Sequence, residues 1–275
     1  MLEIKNLKKR FGAKQVLDGI TFSVPEHSVF GFVGQNGAGK TTTMKMILGL
    51  LSPDEGEIYV NGEKVTSGNN KTNKYIGYLP DVPEFYDYMT PAEYLDFCGS
   101  VTGMDNKEKK ERIAEMLKLV GLDKEKKRIK GFSRGMKQRL GIAQALLNKP
   151  KLLICDEPTS ALDPVGRKDI LEILQTAKQD TTVIFSTHIL SDIEKICDHI
   201  ALLHEGKIVL TGTMDEVRNT HKNTENQDLE LSLSSVSEEK KAELLAYLKE
   251  NDISVTEMRE GEWNLEDLFM EVVEK

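Results

Sequence analysis

The sequence has 275 residues, 39% of them hydrophobic and 30% charged, with 37 Lys and Arg against 45 Asp and Glu. That hydrophobic share excludes a disordered chain, and no apolar run approaches the ~20 residues of a membrane-spanning helix. The start is charged and mixed, so no secretory leader is expected; three scattered cysteines (Cys98, Cys155, Cys197) offer no disulfide framework or metal-ligand spacing and suit a reducing cytosol.

The net charge of -8 is unevenly placed. Residues 222–275 hold 15 acids and 6 bases, and the rest holds 30 acids and 31 bases. A near-neutral body lacks the basic footprint of a nucleic-acid binder, so no nucleic-acid partner is expected.

In chain order, Ser28 to Val33 is a short apolar run that ends in a glycine loop, and Thr42 to Leu51 carries Met44, Ile47, Leu48 and Leu51 at helical spacing. Residues 57–65 predict a hairpin, because Asn61-Gly62 supplies the positive φ angles of a type I′ turn. Tyr75 to Leu79 reads as a strand. From Thr90 to Lys149 the pattern is helical, opened by the capping box Thr90-Pro91-Ala92-Glu93. Lys107 to Leu119 is a charged amphipathic helix. Lys151 to Cys155 and Thr181 to Phe185 are compact apolar strands with a helix between them. Alternating strands and helices predict an α/β core with a parallel or mixed sheet, the 90–149 stretch being a helical insertion.

After Thr220 the texture changes. His221 to Asp228 is linker-like, Leu229, Leu231 and Leu233 alternate as in a half-buried strand, and Ser235 to Glu238 predicts a capping box opening a helix to Glu250. Ile253 to Met258 reads as a second strand and Leu265 to Val273 as a last helix. Residues 222–275 are thus expected to form a small acidic α+β accessory domain beside a main domain of 1–220.

Gly34-Gln35-Asn36-Gly37-Ala38-Gly39-Lys40-Thr41 fits G-x-x-x-x-G-K-[ST], with Thr42 next in the following helix. Glycines let backbone N–H groups wrap phosphate oxygens, and the helix adds its positive N-terminal end. Lys40 is the expected charge for the β/γ-phosphates, and the Thr41 hydroxyl the expected Mg²⁺ ligand. Leu152-Leu-Ile-Cys-Asp156-Glu157 is an apolar strand ending in two carboxylates. Asp156 is placed to hold Mg²⁺, and Glu157 to orient or deprotonate the attacking water.

Between these motifs lies Phe132-Ser133-Arg134-Gly135-Met136-Lys137-Gln138, and after them Ser160-Ala161-Leu162-Asp163 and Ser186-Thr187-His188. This ordered set resembles the ATP-binding cassette (ABC) ATPases over about residues 1–220, and looks most like the separate ATPase subunits of bacterial exporter-type transporters. The resemblance implies a P-loop NTPase core, ATP and Mg²⁺ as ligands, and ATP hydrolysis. Phe11, before Val16, matches the position whose ring stacks on adenine; core packing is the other reading. Ser133 and Gly135 match residues that contact the γ-phosphate of ATP held by a partner subunit, and Asp163 matches an aspartate that crosses the dimer interface. His188 matches a histidine that bonds the γ-phosphate and positions water beside Glu157. Two departures stand out. The family usually has Gln where this chain has Asp81, whose carboxylate could still reach Mg²⁺ or water. Phe132, Arg134 and Met136 replace three positions of the usual Leu-Ser-Gly-Gly-Gln.

The resemblance further implies a second ABC ATPase subunit, identical or paralogous, and a separate transmembrane permease driven by ATP-dependent dimer closure. That would put the protein in the cytoplasm, peripheral at the inner face of the cell membrane. Phe85, Tyr86, Tyr88, Tyr94 and Phe97 gather five of 17 aromatics into 13 residues, either as core of the insertion or as a groove facing the permease. The alternative is a soluble repair or translation ABC ATPase. Only 92 residues separate Lys40 from Ser133, too few for a repair-type coiled coil, and one cassette is present where translation types usually have two. A small nucleotide kinase would share the phosphate loop but have no use for Ser133, Asp163 or His188.

Overall fold

The computed structural model describes residues 1–69, 71–222 and 237–250. The chain opens with two long strands, β1 (Leu2–Phe11) and β2 (Lys14–Val24), paired antiparallel. β3 (Val29–Val33) is buried along its whole length and leads through the glycine loop into α1 (Lys40–Ile47). The helix starts two residues earlier than its apolar pattern predicts and stops before Gly49, whose φ of 68 ends the run. β4 (Glu55–Val60) and β5 (Glu63–Lys64) flank Asn61 at φ 50 and Gly62 at φ 76, the paired positive angles of the predicted turn. β6 (Ile76–Leu79) follows.

Three helices come next. α2 (Pro91–Val101) starts at the predicted capping box: Thr90 accepts from the Glu93 N–H, and Glu93 accepts from the Thr90 N–H. α3 (Asn106–Leu119) is capped by Asp105, and α4 (Arg134–Leu146) by Ser133. The chain then alternates through β7 (Leu152–Asp156), α5 (Pro164–Ala177), β8 (Thr182–Thr187), α6 (Leu190–Ile196), β9 (His199–His204), β10 (Lys207–Thr213) and α7 (Met214–Lys222). α8 (Glu238–Glu250) matches the helix expected there. Its cap is Ser237, whose hydroxyl accepts from the Lys240 N–H, two residues beyond the expected Ser235. Ser235, the strands expected at 229–233 and 253–258 and the helix expected at 265–273 lie outside the described residues.

Among the described residues the strands form two sheets. One has the order β10-β9-β3-β8-β7-β6, parallel from β9 to β6 with β10 antiparallel at its edge. The other is antiparallel, β2-β1-β4-β5. The parallel strands are apolar on both faces, as strands covered on both sides must be. Alternation divides their side chains: Val29, Val33, Leu153, Cys155, Val183 and Phe185 face the core shared with α2 to α6. Phe30, Phe32, Leu152, Ile154 and Ile184 face the core shared with α1 and the antiparallel sheet. Each such fully buried side chain contributes about 1.5–3 kcal/mol relative to exposure. β7, β8 and β3 are therefore locked side by side, and their C-terminal ends open onto one edge. Ligands of open α/β sheets bind at such an edge.

Candidate functional site

The site is assembled by register. Phe32 pairs with Ser186 between β3 and β8, and Asp156 pairs with Ser186 between β7 and β8. The glycine loop, the acidic pair and the Ser186-Thr187-His188 segment thus leave adjacent strands at one level.

The loop can close only because it is glycine-rich. A Cβ on Gly34 would stand 2.5 Å from the Leu203 carbonyl oxygen. Gly39 takes φ 116 as N-cap of α1, and a Cβ there would meet Leu17 at 2.7 Å and the Val16 carbonyl oxygen at 3.2 Å. Val16 therefore borders the loop through its backbone. No side chain caps α1, which leaves its first N–H groups to a ligand. Gln35, Asn36 and Gly37 are exposed, and with Val33, Gly34, His188 and Leu190 the first two line a cleft of about 240 Å³.

Lys40 is the hinge of the cluster. Its ammonium donates to the Gly34 carbonyl over 2.6 Å and to the Gln35 carbonyl over 3.2 Å. Glu157 Oε1 lies 3.1 Å away, a charge contact outside hydrogen-bond alignment, with the two side chains 6% and 13% exposed. Glu157 Oε2 meets His188 Nδ1 at 3.0 Å. An ionised carboxylate only accepts, so Nδ1 carries the proton of this bond. Glu157 itself sits at φ 49, a costly angle for a residue with a side chain, and its N–H is fixed by both the Ser186 carbonyl and the Ser186 hydroxyl at 3.1 Å.

Asp156 is buried, and both of its oxygens are engaged. Oδ1 accepts from the Ser186 hydroxyl over 2.6 Å and Oδ2 from the Thr41 hydroxyl over 2.8 Å. One carboxylate and one hydroxyl, both hard oxygen donors, fit a small divalent cation whose other ligands are phosphate and water. Among the described residues there is no cluster of three His, Cys, Asp or Glu that could hold a metal by protein groups alone. Tyr78 lies within the field of Asp156, and burial first, then that charge, pushes its phenol up to about 12. Cys155 is fully buried beside Asp156, and burial pushes its thiol well above the ordinary range. Such a thiol is inert, in line with a core role.

The remaining predicted residues lie elsewhere. Phe11 is 51% exposed with the Lys9 ammonium 5.5 Å from its ring centroid, which excludes the core-packing reading. Asp81 does not join the cluster; its carboxylate meets Arg134 at 3.4 Å and its carbonyl accepts from the fully buried Gln138 over 2.8 Å. Asp81 thus touches Arg134, one of the three altered signature positions. Ser133 accepts from the Met136 N–H at the start of α4, with Gly135 beside it. Asp163 caps α5, accepting from the Gly166 N–H over 2.8 Å. The aromatic run divides: Tyr94 is buried and donates to Gln144, while Tyr86, Tyr88 and Phe97 are exposed alongside Val82 and Val101.

Ser186 is the residue that sequence reasoning left without a role. It stands in the quoted segment, yet only strand register reveals that it supports Asp156 and Glu157 together. Gln138, fully buried and donating to the Asp81 carbonyl, makes a second contact that motif spacing does not show.

Among the described residues no helix is long and apolar enough to cross a membrane. The sequence model of the ABC transporter family matches residues 17–160. An uncharacterized ABC transporter ATP-binding protein of Bacillus subtilis (strain 168), YxlF, is 45% identical over 219 residues, 79% of this chain and 72% of that protein. The bacitracin transport ATP-binding protein BcrA of Bacillus licheniformis is 41% identical over 212 residues, 76% of this chain and 68% of that protein. The solved structure of an ATP-binding subunit of an ABC transporter superposes with a TM-score of 0.71 at 32% identity, covering 90% of this chain and 99% of that one. The phosphate loop, the acidic strand end and the alternating α/β core therefore have one explanation: the chain belongs to the ABC transporter family, among its ATP-binding subunits.

Proposed function

We propose that this subunit binds MgATP and hydrolyses it, and that closure of an ATP-bridged dimer drives a separate membrane permease. The observation that carries the reading is the continuous run of contacts Lys40–Glu157–His188 beside Asp156 and Thr41.

The roles follow from the geometry. The backbone from Gly34 to Gly39 and the start of α1, with Lys40, Thr41 and Thr42, cradles the phosphates, and Phe11 stacks on the base. Thr41 and Asp156 would hold Mg²⁺, which when bound would neutralise charge developing on the phosphates. Lys40 leaves its own loop carbonyls and Glu157 for the β/γ-phosphates. Glu157, so released, accepts a proton from the attacking water. His188 holds the Glu157 carboxylate through its Nδ1–H, and a second ring proton on Nε2 is what lets it also donate to a γ-phosphate oxygen. Asp81 is the second acid for Mg²⁺ or water. It must first leave Arg134, and an exposed pair of this kind holds it by at most about 1 kcal/mol.

Ser133, Gly135 and Asp163 sit at two other helix starts of the chain, and we assign them to a partner subunit's ATP, with that subunit identical or paralogous. The exposed rings Tyr86, Tyr88 and Phe97 are the proposed seat of a permease segment. The protein is then peripheral at the cytoplasmic face of the membrane, with residues 222–275 as an acidic accessory domain and no nucleic-acid partner. Affinity purification from solubilised membranes tests this. A co-purifying multispanning membrane protein supports it, and co-purifying ribosomes or DNA with no such protein would overturn the transport role.

A further inference from the structure

A second buried ion pair lies outside the phosphate cluster. Asp192, in the first turn of α6, is fully buried, and Arg167, in the first turn of α5, donates from Nη2 to its Oδ1 over 2.9 Å. A carboxylate without solvent needs such a partner, because an isolated buried charge is far more costly than a lost hydrogen bond. The match is nevertheless incomplete. An arginine fork commonly satisfies both oxygens of a carboxylate, yet here Oδ2 of Asp192 is buried and has no hydrogen-bond partner.

Each partner is tied to a loop of the proposed machinery. The Arg167 N–H donates to the Asp163 carbonyl over 2.9 Å, and Asp163 caps the same turn through Gly166. The Asp192 N–H donates to the Ile189 carbonyl over 3.2 Å, and the Ile189 N–H donates to the Thr187 hydroxyl over 2.9 Å, on either side of His188. One ion pair therefore joins the turn built on Asp163 to the turn that follows His188. The apolar faces behind it, with Ile170, Leu174, Ile193 and Ile196, share a single core.

We propose that Arg167 and Asp192 are positioning residues that couple the movement of the Asp163 loop to that of the His188 loop. The unengaged Oδ2 gives the guanidinium a second seat when the loops shift, which is the two-arrangement joint that coupling between sites requires. Stability alone does not call for this pair, since apolar residues of similar volume commonly replace a buried ion pair at no loss. What apolar residues cannot supply is a directional link between two helix starts. The inference rests on the reading of Glu157 and His188 as hydrolytic groups.

The decisive variant is Arg167→Met with Asp192→Leu, which removes both charges and keeps the volume. We expect its Tm to match or exceed that of the unaltered protein and its ATP Kd to stay within about twofold. Its kcat should fall about 10- to 100-fold at unchanged KM, the scale of a misplaced reacting group. An unchanged kcat would overturn the proposal. Should the double variant not fold, Asp192→Asn decides, because it keeps one acceptor toward Arg167 and removes the second, the other seat of the guanidinium. A fall in kcat at unchanged ATP Kd supports the coupling, and kcat equal to that of the unaltered protein overturns it. If the unaltered protein hydrolyses no MgATP, the hydrolytic reading itself fails, whatever these variants do.

Discussion

The Lys40 ammonium lies 3.1 Å from Glu157 Oε1, and it donates to the Gly34 and Gln35 carbonyls of its own loop. The residue proposed for phosphate is thus engaged with the residue proposed for water. Lys40→Ala would strip Glu157 Oε1 of its cation and leave the carboxylate only His188 on Oε2, at a cost of about 1–3 kcal/mol. The prediction is a lower Tm and an ATP Kd raised at least about tenfold in a fluorescent-nucleotide titration. Adding Glu157→Gln should restore much of the Tm and none of the ATP binding. ATP affinity equal to that of the unaltered protein would refute the loop assignment.

Ser186 holds Asp156 with its hydroxyl proton and accepts from the Glu157 N–H. Its replacement by Ala leaves buried Asp156 Oδ1 without a partner, while the Glu157 N–H keeps the Ser186 carbonyl, a loss worth about 1–3 kcal/mol in stability. A group behind a metal ligand commonly changes metal affinity about 10- to 100-fold. Ser186→Ala should accordingly raise the Mg²⁺ concentration for half-maximal turnover by about tenfold. A Mg²⁺ titration that superposes on that of the unaltered protein would remove Ser186 from the site.

Phe11 is half exposed, so Phe11→Ala should alter stability by less than about 0.5 kcal/mol. Aromatic–base stacking is worth about 1–3 kcal/mol, which predicts an ATP Kd at least about fivefold higher. An unchanged Kd would assign the adenine to another surface.

Alkaline pH should destabilise the fold. Burial raises the thiols of Cys155 and Cys197 above their ordinary value of 9.0, and raises Tyr78 to about 12. Above the unfolded-state values the unfolded chain binds fewer protons than the folded one, so stability falls with rising pH. The stabilisation is complete below about pH 9 and is lost as pH climbs toward the raised values. Urea midpoints measured between about pH 8 and 11 should decline steadily, and a flat profile would contradict the burial of these groups.

How much of this was legible in the sequence differs between the two sheets. β3, β7 and β8 are short runs apolar on both faces, and each ends in a motif, so they were readable with their chemistry attached. β1 and β2 were not. Asn6 takes φ 46 and breaks the register between Ile4 and Leu7, so the two-residue period lapses within the strand. β1 and β2 went unread for that reason, while the β4–β5 hairpin of the same sheet was legible from Asn61-Gly62. At the site, spacing identified Lys40, Thr41, Asp156 and Glu157. The Asp156–Ser186 contact spans 30 residues and exists only through the pairing of β7 with β8. The Asp81–Arg134 contact likewise depends on α4 packing on β6, which composition and periodicity do not specify.

The most direct measurement is phosphate release from MgATP by the unaltered protein and by Glu157→Gln at saturating nucleotide. Loss of a general base typically costs about 10²- to 10⁴-fold. Release slowed at least about 100-fold, with ATP still bound and the variant shifted to a dimer, is the predicted result. A monomeric variant that releases phosphate at the unaltered rate would contradict the assignment of Glu157 and the mechanism built on it.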